Sequence, residues 1–189
     1  MIRKLLHLHR YRIILINAVF IFVSGVGSSG QAQTVIGARE LALGQATSAL
    51  EGTDWSMFGN PALMSENERT VSFFGVRYFG LAEITDMAFA GYYPTQFGVL
   101  GLGAHRYGDD LFNENRLRLG YKHSFAGFHF GAILNYSHVA FGGGYGSAGA
   151  LGVDVGLAAP IISDLWIGAK ATNINQPEYG SRNNEKLPA

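Results

Sequence analysis

Three basic residues, Arg116, Arg118 and Lys122, stand two and four positions apart. At a period of two their side chains leave one face of a strand and form a basic stripe. Asp86, Asp154, the N-terminal part of the chain and an acidic ligand are its four candidate partners. Asp109, Asp110, Asn113, Glu114 and Asn115 make an oxygen-rich group of the kind Ca²⁺ favours. They lack the ordered spacing of a calcium loop and read as a solvated turn. Of the six histidines, His105, His123, His129 and His138 scatter over three extended stretches with no carboxylate at fixed spacing. They read as lumen or interface residues. Gly142-Gly143-Gly144 follows a strand but opens no helix, so it fails the context of a phosphate cradle. There is no Gly-x-Ser-x-Gly, no His-Glu-x-x-His and no P-loop. There is no cysteine, which excludes disulfides, a thiolate metal site and a Cys nucleophile. The expectation is a non-catalytic chain with no metal and no cofactor.

The stretches that must position these residues are extended. From residue 69 onward seven segments of 11–15 residues alternate with polar or Gly-rich turns: 69–81, 83–94, 96–107, 113–125, 127–141, 147–160 and 163–174. Leu117, Leu119 and Tyr121 oppose Arg116, Arg118, Gly120 and Lys122. Phe128, Phe130, Ala132, Leu134 and Tyr136 oppose His129, Gly131, Ile133, Asn135 and Ser137. Leu151, Val153, Val155 and Leu157 oppose Gly152, Asp154 and Gly156. Leu165, Ile167, Ala169 and Ala171 oppose Trp166, Gly168, Lys170 and Thr172. One face is apolar; the other is small and polar with a few charges. Repeated in ten-residue segments, that is the pattern of a transmembrane β-barrel, since lipid leaves backbone groups only a closed sheet or a helix.

A soluble secreted β-sandwich would also alternate. Three features weigh against it. The segments exceed the usual five or six residues of a globular strand. The small face is rich in glycine, which weakens a packed soluble core. Tyr78, Phe79, Tyr92, Tyr93, Tyr107, Tyr121, Phe125, Phe141 and Trp166 sit near segment ends, like an interfacial girdle. Composition agrees: 26 glycines, 13% aromatic and only 15% charged residues, against about 25% charged in a soluble domain. The turns near 81–83, 94–96, 125–127 and 160–163 read as short and the loops at 107–114 and 141–147 as longer. Short turns are expected on the periplasmic side, although these lengths do not alternate cleanly between sides.

The N-terminus reads as an export signal. Arg3, Lys4, Arg10 and Arg12 precede the apolar run IILINAVFIFV at 13–23, and small residues follow up to Gly30-Gln31-Ala32. That is the order of a signal peptide, with cleavage expected after Ala32. Eleven helical residues rise about 16 Å, half of a bilayer core, too short for an anchor. Losing four of the 14 basic residues leaves 10 against 14 acids, net −4, which gives no reason to expect nucleic acid.

Residues 33–68 differ from both flanks. Ala38, Leu41, Ala42, Gln45, Ala46 and Ala49 recur at helical spacing, so a short helix is expected over about 37–50, interrupted by Gly44. A loop with Asp54, Trp55, Asn60, Pro61 and Ala62 follows. In Asn60-Pro61-Ala62, Pro fixes φ and Asn can bond its own backbone, which favours a structural turn over ligand contact. Arg39, Asp54 and Trp55 read the same way. The segment either caps the sheet edge or plugs the barrel mouth.

The run Gly37-Ala38-Arg39, Ala42-Leu43-Gly44, Ala46, Ala49-Leu50, Asp54-Trp55 and Asn60-Pro61-Ala62-Leu63 resembles the start of the PorV/PorQ family. These are outer-membrane proteins of type IX secretion, related to FadL-like fatty-acid transporters. Leu102-Gly103-Ala104 with Arg106-Tyr107-Gly108, Val153-Asp154-Val155-Gly156-Leu157, and Thr172-Asn173-Ile174 with Leu187-Pro188 resemble its later strands. Leu63 stands where the family often has Gly, which is closer to the PorQ-like branch. The resemblance covers the whole mature chain, most specifically 37–63.

The resemblance implies an all-β fold: an antiparallel transmembrane barrel preceded by a short helix and plug. Residues 1–32 are then the signal peptide, 33–68 the plug-like segment and 69–189 the barrel strands. Gly37, Ala38, Arg39, Gly44, Asp54, Trp55, Asn60, Pro61 and Ala62 would form the plug motif. Arg116, Arg118, Lys122 and Asp154 would face the lumen. About seven strands are half of the family's fourteen, so the sequence reads as a piece of a longer barrel. A self-associating half-barrel and a sheet closed by a partner are the alternatives. The expected role is a non-catalytic part of protein secretion in the outer membrane, contacting lipid, other secretion proteins and secreted cargo. The alternative is a FadL-like transporter of hydrophobic small molecules.

Overall fold

The structure, a computed structural model, describes residues 35–143, 146–162, 165–179 and 185–186. The expected signal peptide, Gly144 and Leu187-Pro188 lie outside the described residues.

Seven antiparallel strands form one sheet in sequence order: β1 (Thr70–Arg77), β2 (Thr85–Thr95), β3 (Gly98–Gly108), β4 (Phe112–Phe125), β5 (Phe128–Phe141), β6 (Gly146–Ile162) and β7 (Leu165–Ala171). Each strand pairs with the next, and the sheet curls into a half-barrel. β1 and β7 are its edges. A two-residue ladder of β8 (Glu178–Tyr179) and β9 (Glu185–Lys186) was not anticipated. It is too short to carry an alternating pattern.

Every expected segment is a strand, and every expected face is observed. Leu117, Leu119 and Tyr121 are exposed, while Arg118 is half-buried and Gly120 and Lys122 are buried. On β6, Gly152, Asp154 and Gly156 are buried while Leu151 and Leu157 are exposed. The inner face is covered by residues 35–68, which touch all seven strands, from Ser72 and Phe74 on β1 to Gly168 and Ala169 on β7. Met57, Met64, Ala90, Tyr92, Val99 and Ile133 make the main buried cluster, with Trp55 and Phe58 against it. On the strands, Val71, Phe73, Leu100, Leu102, Leu117, Leu119, Leu134 and Leu151 are exposed on the outer face.

Four expectations need correction. The helix is not 37–50 but α1 (Ala38–Ala42). Gly44 and Gln45 take φ of 59° and 67°, the left-handed conformation that ends a helix, and the later alanines lie in turns. The first strand stops at Arg77, not 81, because Tyr78–Gly80 and Ala82–Ile84 form successive 3-10 turns, with Phe79 at φ 53°. Turn lengths therefore alternate cleanly after all. One end of the sheet has only two-residue connections, at 96–97, 126–127 and 163–164; the other has 78–84, 109–111 and 142–145. Ala126 and Gly127 both have positive φ, as a type I′ hairpin requires. Finally, Tyr92 and Trp166 are not girdle residues. Both point inward, Tyr92 into the main cluster and Trp166 onto Ala62, Leu63 and Ala158.

Candidate functional site

The site is the interface between the N-terminal segment and the inner face. It is built on glycine. A Cβ on Gly101 would stand 2.6 Å from the Met57 sulfur, and one on Gly120 2.8 Å from it. On β5 a Cβ at Gly131 would strike the Pro61 carbonyl carbon; on β6 one at Gly156 would strike Asn60 Oδ1. The glycines that looked unsuited to a packed core are where the segment's backbone seats.

Asn60 sits at the centre of that seat, 1% exposed. Its Oδ1 accepts from Ala62 N at 3.0 Å and caps the 3-10 turn Pro61–Leu63. Its Nδ2 donates to Ser48 O (2.6 Å) and to the Leu157 O of β6 (3.0 Å), with Ala169 O of β7 at 3.4 Å. One buried amide thus ties two parts of the segment to two strands. Burying a polar group is costly unless it is bonded in this way.

The rest of the motif supports the same seat. Gly37 has φ 101°, and a side chain there would collide with Glu40 and Trp55. Arg39 donates to the carbonyls of Glu51 (3.3 Å) and Gly52 (3.1 Å), drawing the segment back on itself. Asp54 Oδ2 accepts from Ser72 Oγ at 2.9 Å. Trp55 meets the Phe74 ring edge-on at 5.9 Å. Pro61 and Ala62 are buried, whereas Ala38 and Gly44 are exposed and, among the described residues, make no hydrogen bond or ring contact to a strand of the wall.

The basic stripe finds its partners in the segment and in Asp154. Arg118 donates to Met57 O at 2.6 Å, lies 3.5 Å from Asp154, and covers the Phe58 ring at 5.1 Å. Lys122 donates to Met64 O and to Glu66, each at 2.8 Å. Arg116 turns aside to Glu114 at 2.6 Å. Asp154 also accepts from Asn135 Nδ2 (2.9 Å) and Asn173 N (2.8 Å). Asp86 goes elsewhere, to His105 at 2.7 Å, both fully inside the fold. His105 Nδ1 and Asp86 Oδ2 have no hydrogen-bond partner among the described residues.

Sequence reasoning missed Tyr92 and Glu66. The Tyr92 hydroxyl donates to Asp54 O at 2.7 Å and accepts from Met57 N at 3.1 Å. Glu66 receives Lys122 Nζ, Ser124 Oγ and, at 3.2 Å, His129 Nδ1. Burial pushes the Glu66 carboxyl up, but hydrogen bonds from Lys122 and Ser124, the Lys122 charge and the His129 contact outweigh it and hold it at about 2. Nothing local marks these two; only the parity of Tyr92 with Ala88 and Ala90 points inward. Asp109 accepts from Leu111 N (2.9 Å) and Phe112 N (3.0 Å), which makes its oxygen-rich group a turn. Among the described residues no three His, Asp or Glu gather as metal ligands. Beside the segment, at the short-turn end, lies a cavity of about 670 Å³ lined by Asp54, Glu66, Lys122, His129 and Trp166 among others.

No family model, no curated protein and no solved structure matches this chain.

Proposed function

We propose that this chain is the wall and inner plug of an outer-membrane β-barrel of the PorV/PorQ type, a non-catalytic component of protein secretion. One observation carries the membrane part: the sheet is inside out. On the outer face Phe73 is 78% exposed, Leu119 54%, Leu134 45%, Leu151 52% and Ile167 51%, while Asp86, Lys122, Asn135 and Asp154 are all 5% exposed or less on the inner face. An apolar surface spread over seven strands far exceeds what a soluble monomer tolerates. In hydrocarbon it is the favourable surface, and the inner polar side chains pair with one another, Asp86 with His105, Lys122 with Glu66 and Asn135 with Asp154.

The polar lining of the 670 Å³ cavity and the close seat of the segment support a protein-binding role over passage of a hydrophobic molecule. The short-turn end then faces the periplasm. The test is fractionation followed by a deletion strain. The mature protein is expected in the outer-membrane fraction after carbonate washing and to migrate faster in unheated gels. Its loss is expected to block secretion of tagged cargo. Recovery in a detergent-free periplasmic extract overturns the membrane reading. Normal secretion with failed uptake of a hydrophobic substrate overturns the secretion role and points to a transporter.

A further inference from the structure

The outer face is not uniformly apolar. Arg106, Asn115 and His138 are register partners across β3, β4 and β5, so they form one outward row toward the long-loop end. The next row is apolar: Phe89, Ala104, Leu117 and Tyr136 are likewise partners. Ala104 is the small member between two large ones. The dent over it, with Met87 at its side, is a groove of about 410 Å³.

Arg106 is exposed, and its guanidinium makes no hydrogen bond or ion pair among the described residues. Asn115 uses one amide hydrogen on Asn113, and the His138 ring stacks on Tyr136 at 6.5 Å. No carboxylate answers this cation. Asp86, Glu114 and Asp154 are the only acids in β1–β7, and all lie on the inner face. An unpaired arginine at the border of an apolar groove, with every strand acid on the other side of the sheet, is complementary to an acyl chain carrying an anion.

We propose that this groove binds a phosphate-bearing anionic lipid of the surrounding membrane. One acyl chain lies over Ala104 between Phe89 and Leu117, and the phosphate oxygens accept from Arg106, with Asn115 and His138 beside it. Arginine suits this because its planar fork matches two phosphate oxygens at once. The inference rests on the membrane reading above.

The test titrates the purified mature chain in maltoside detergent with phosphatidylglycerol and with phosphatidylcholine, counting bound lipid by native mass spectrometry. Wild type is expected to prefer phosphatidylglycerol, and Arg106→Gln to weaken that binding about tenfold, with phosphatidylcholine unaffected. Arg106→Lys is expected to keep part of the preference, and Arg77→Gln, outward on β1, all of it. Equal binding of the two lipids, or an unchanged Arg106→Gln, overturns the site. So does a lipid-independent dimer that dissolves in Arg106→Gln, which would make the groove a contact between copies. Carbonate-resistant flotation with phosphatidylcholine vesicles separates the two claims. Flotation without lipid preference removes the site alone; no flotation removes the membrane reading with it.

Discussion

The two faces of the sheet are made by the same strands one residue apart, yet they obey different packing rules. Gly75 on β1 and Gly131 on β5 are both strand glycines. A Cβ on Gly75 meets nothing within 4 Å; one on Gly131 strikes the backbone at Pro61 and Ala62. Outside, side chains are large and interchangeable because their solvent is fluid. Inside, at Gly131, even a methyl group is excluded because the partner is a fixed backbone. Shape is specified throughout the covered face; the exposed face specifies mainly polarity, with the dent over Ala104 as its shaped feature.

The sharpest way to break this comparison is to put the same substitution on both faces. Gly131→Val is expected to destabilise by about 3 kcal/mol or more, through overpacking against backbone that cannot yield. Gly75→Val is expected to change stability by less than about 0.5 kcal/mol. Urea unfolding in detergent measures both, and equal losses would end the distinction. Polarity is probed next. Leu119→Arg, in the middle of the outer face, is expected to cost about 2–4 kcal/mol in a bilayer. The same variant as a soluble protein would lose almost nothing, so folding into vesicles decides which solvent the outer face meets.

A smaller effect sharpens the inner side. Asn60→Ala removes the cap of Pro61–Leu63 and the amide between Ser48 and Leu157. About 2 kcal/mol is expected, with faster proteolysis of residues 35–68 while the sheet stays protected. Simultaneous digestion of the sheet would mean that segment and wall do not separate as units.

The smallest effect is at Glu66. Its carboxyl is held at about 2 against an ordinary 4.5. A lowered folded-state value means the stabilisation is present above pH 4.5 and is lost as pH falls from 4.5 toward 2. The side chain is 40% exposed, so solvent screening limits the contribution to about 1 kcal/mol or less. Glu66→Gln is expected to flatten the pH dependence of stability in that window. A slope unchanged in Glu66→Gln would assign it to other carboxylates.

The strands were legible because a period of two survives any tertiary context. Leu117, Leu119 and Tyr121 declare one face of β4 however the sheet curls, and the type of each side chain declares which solvent that face meets. Asn60-Pro61-Ala62 was legible as a turn for a similar reason: Pro fixes φ, and the Asn acceptor lies two residues from its donor. The helix was over-read because alanines at 46 and 49 carry the spacing of a helix but Gly44 ends it. The first strand was over-read because Tyr78 and Phe79 are good strand residues in a 3-10 turn.

The sequence by itself determined the alternation, the number of strands of the sheet and the turn at Asn60, since these depend on residues at most a few positions apart. Only the tertiary structure decided where the basic stripe goes. Arg118 has Met57, Phe58 and Asp154 as neighbours, separated by dozens of residues, and Lys122 has Met64 and Glu66. It also decided that the segment lies inside the curl and not on its edge. Those choices rest on which glycines pair, Gly101 with Gly120 and Gly131 with Gly156, to admit the segment, and that pairing exists only once the register is set.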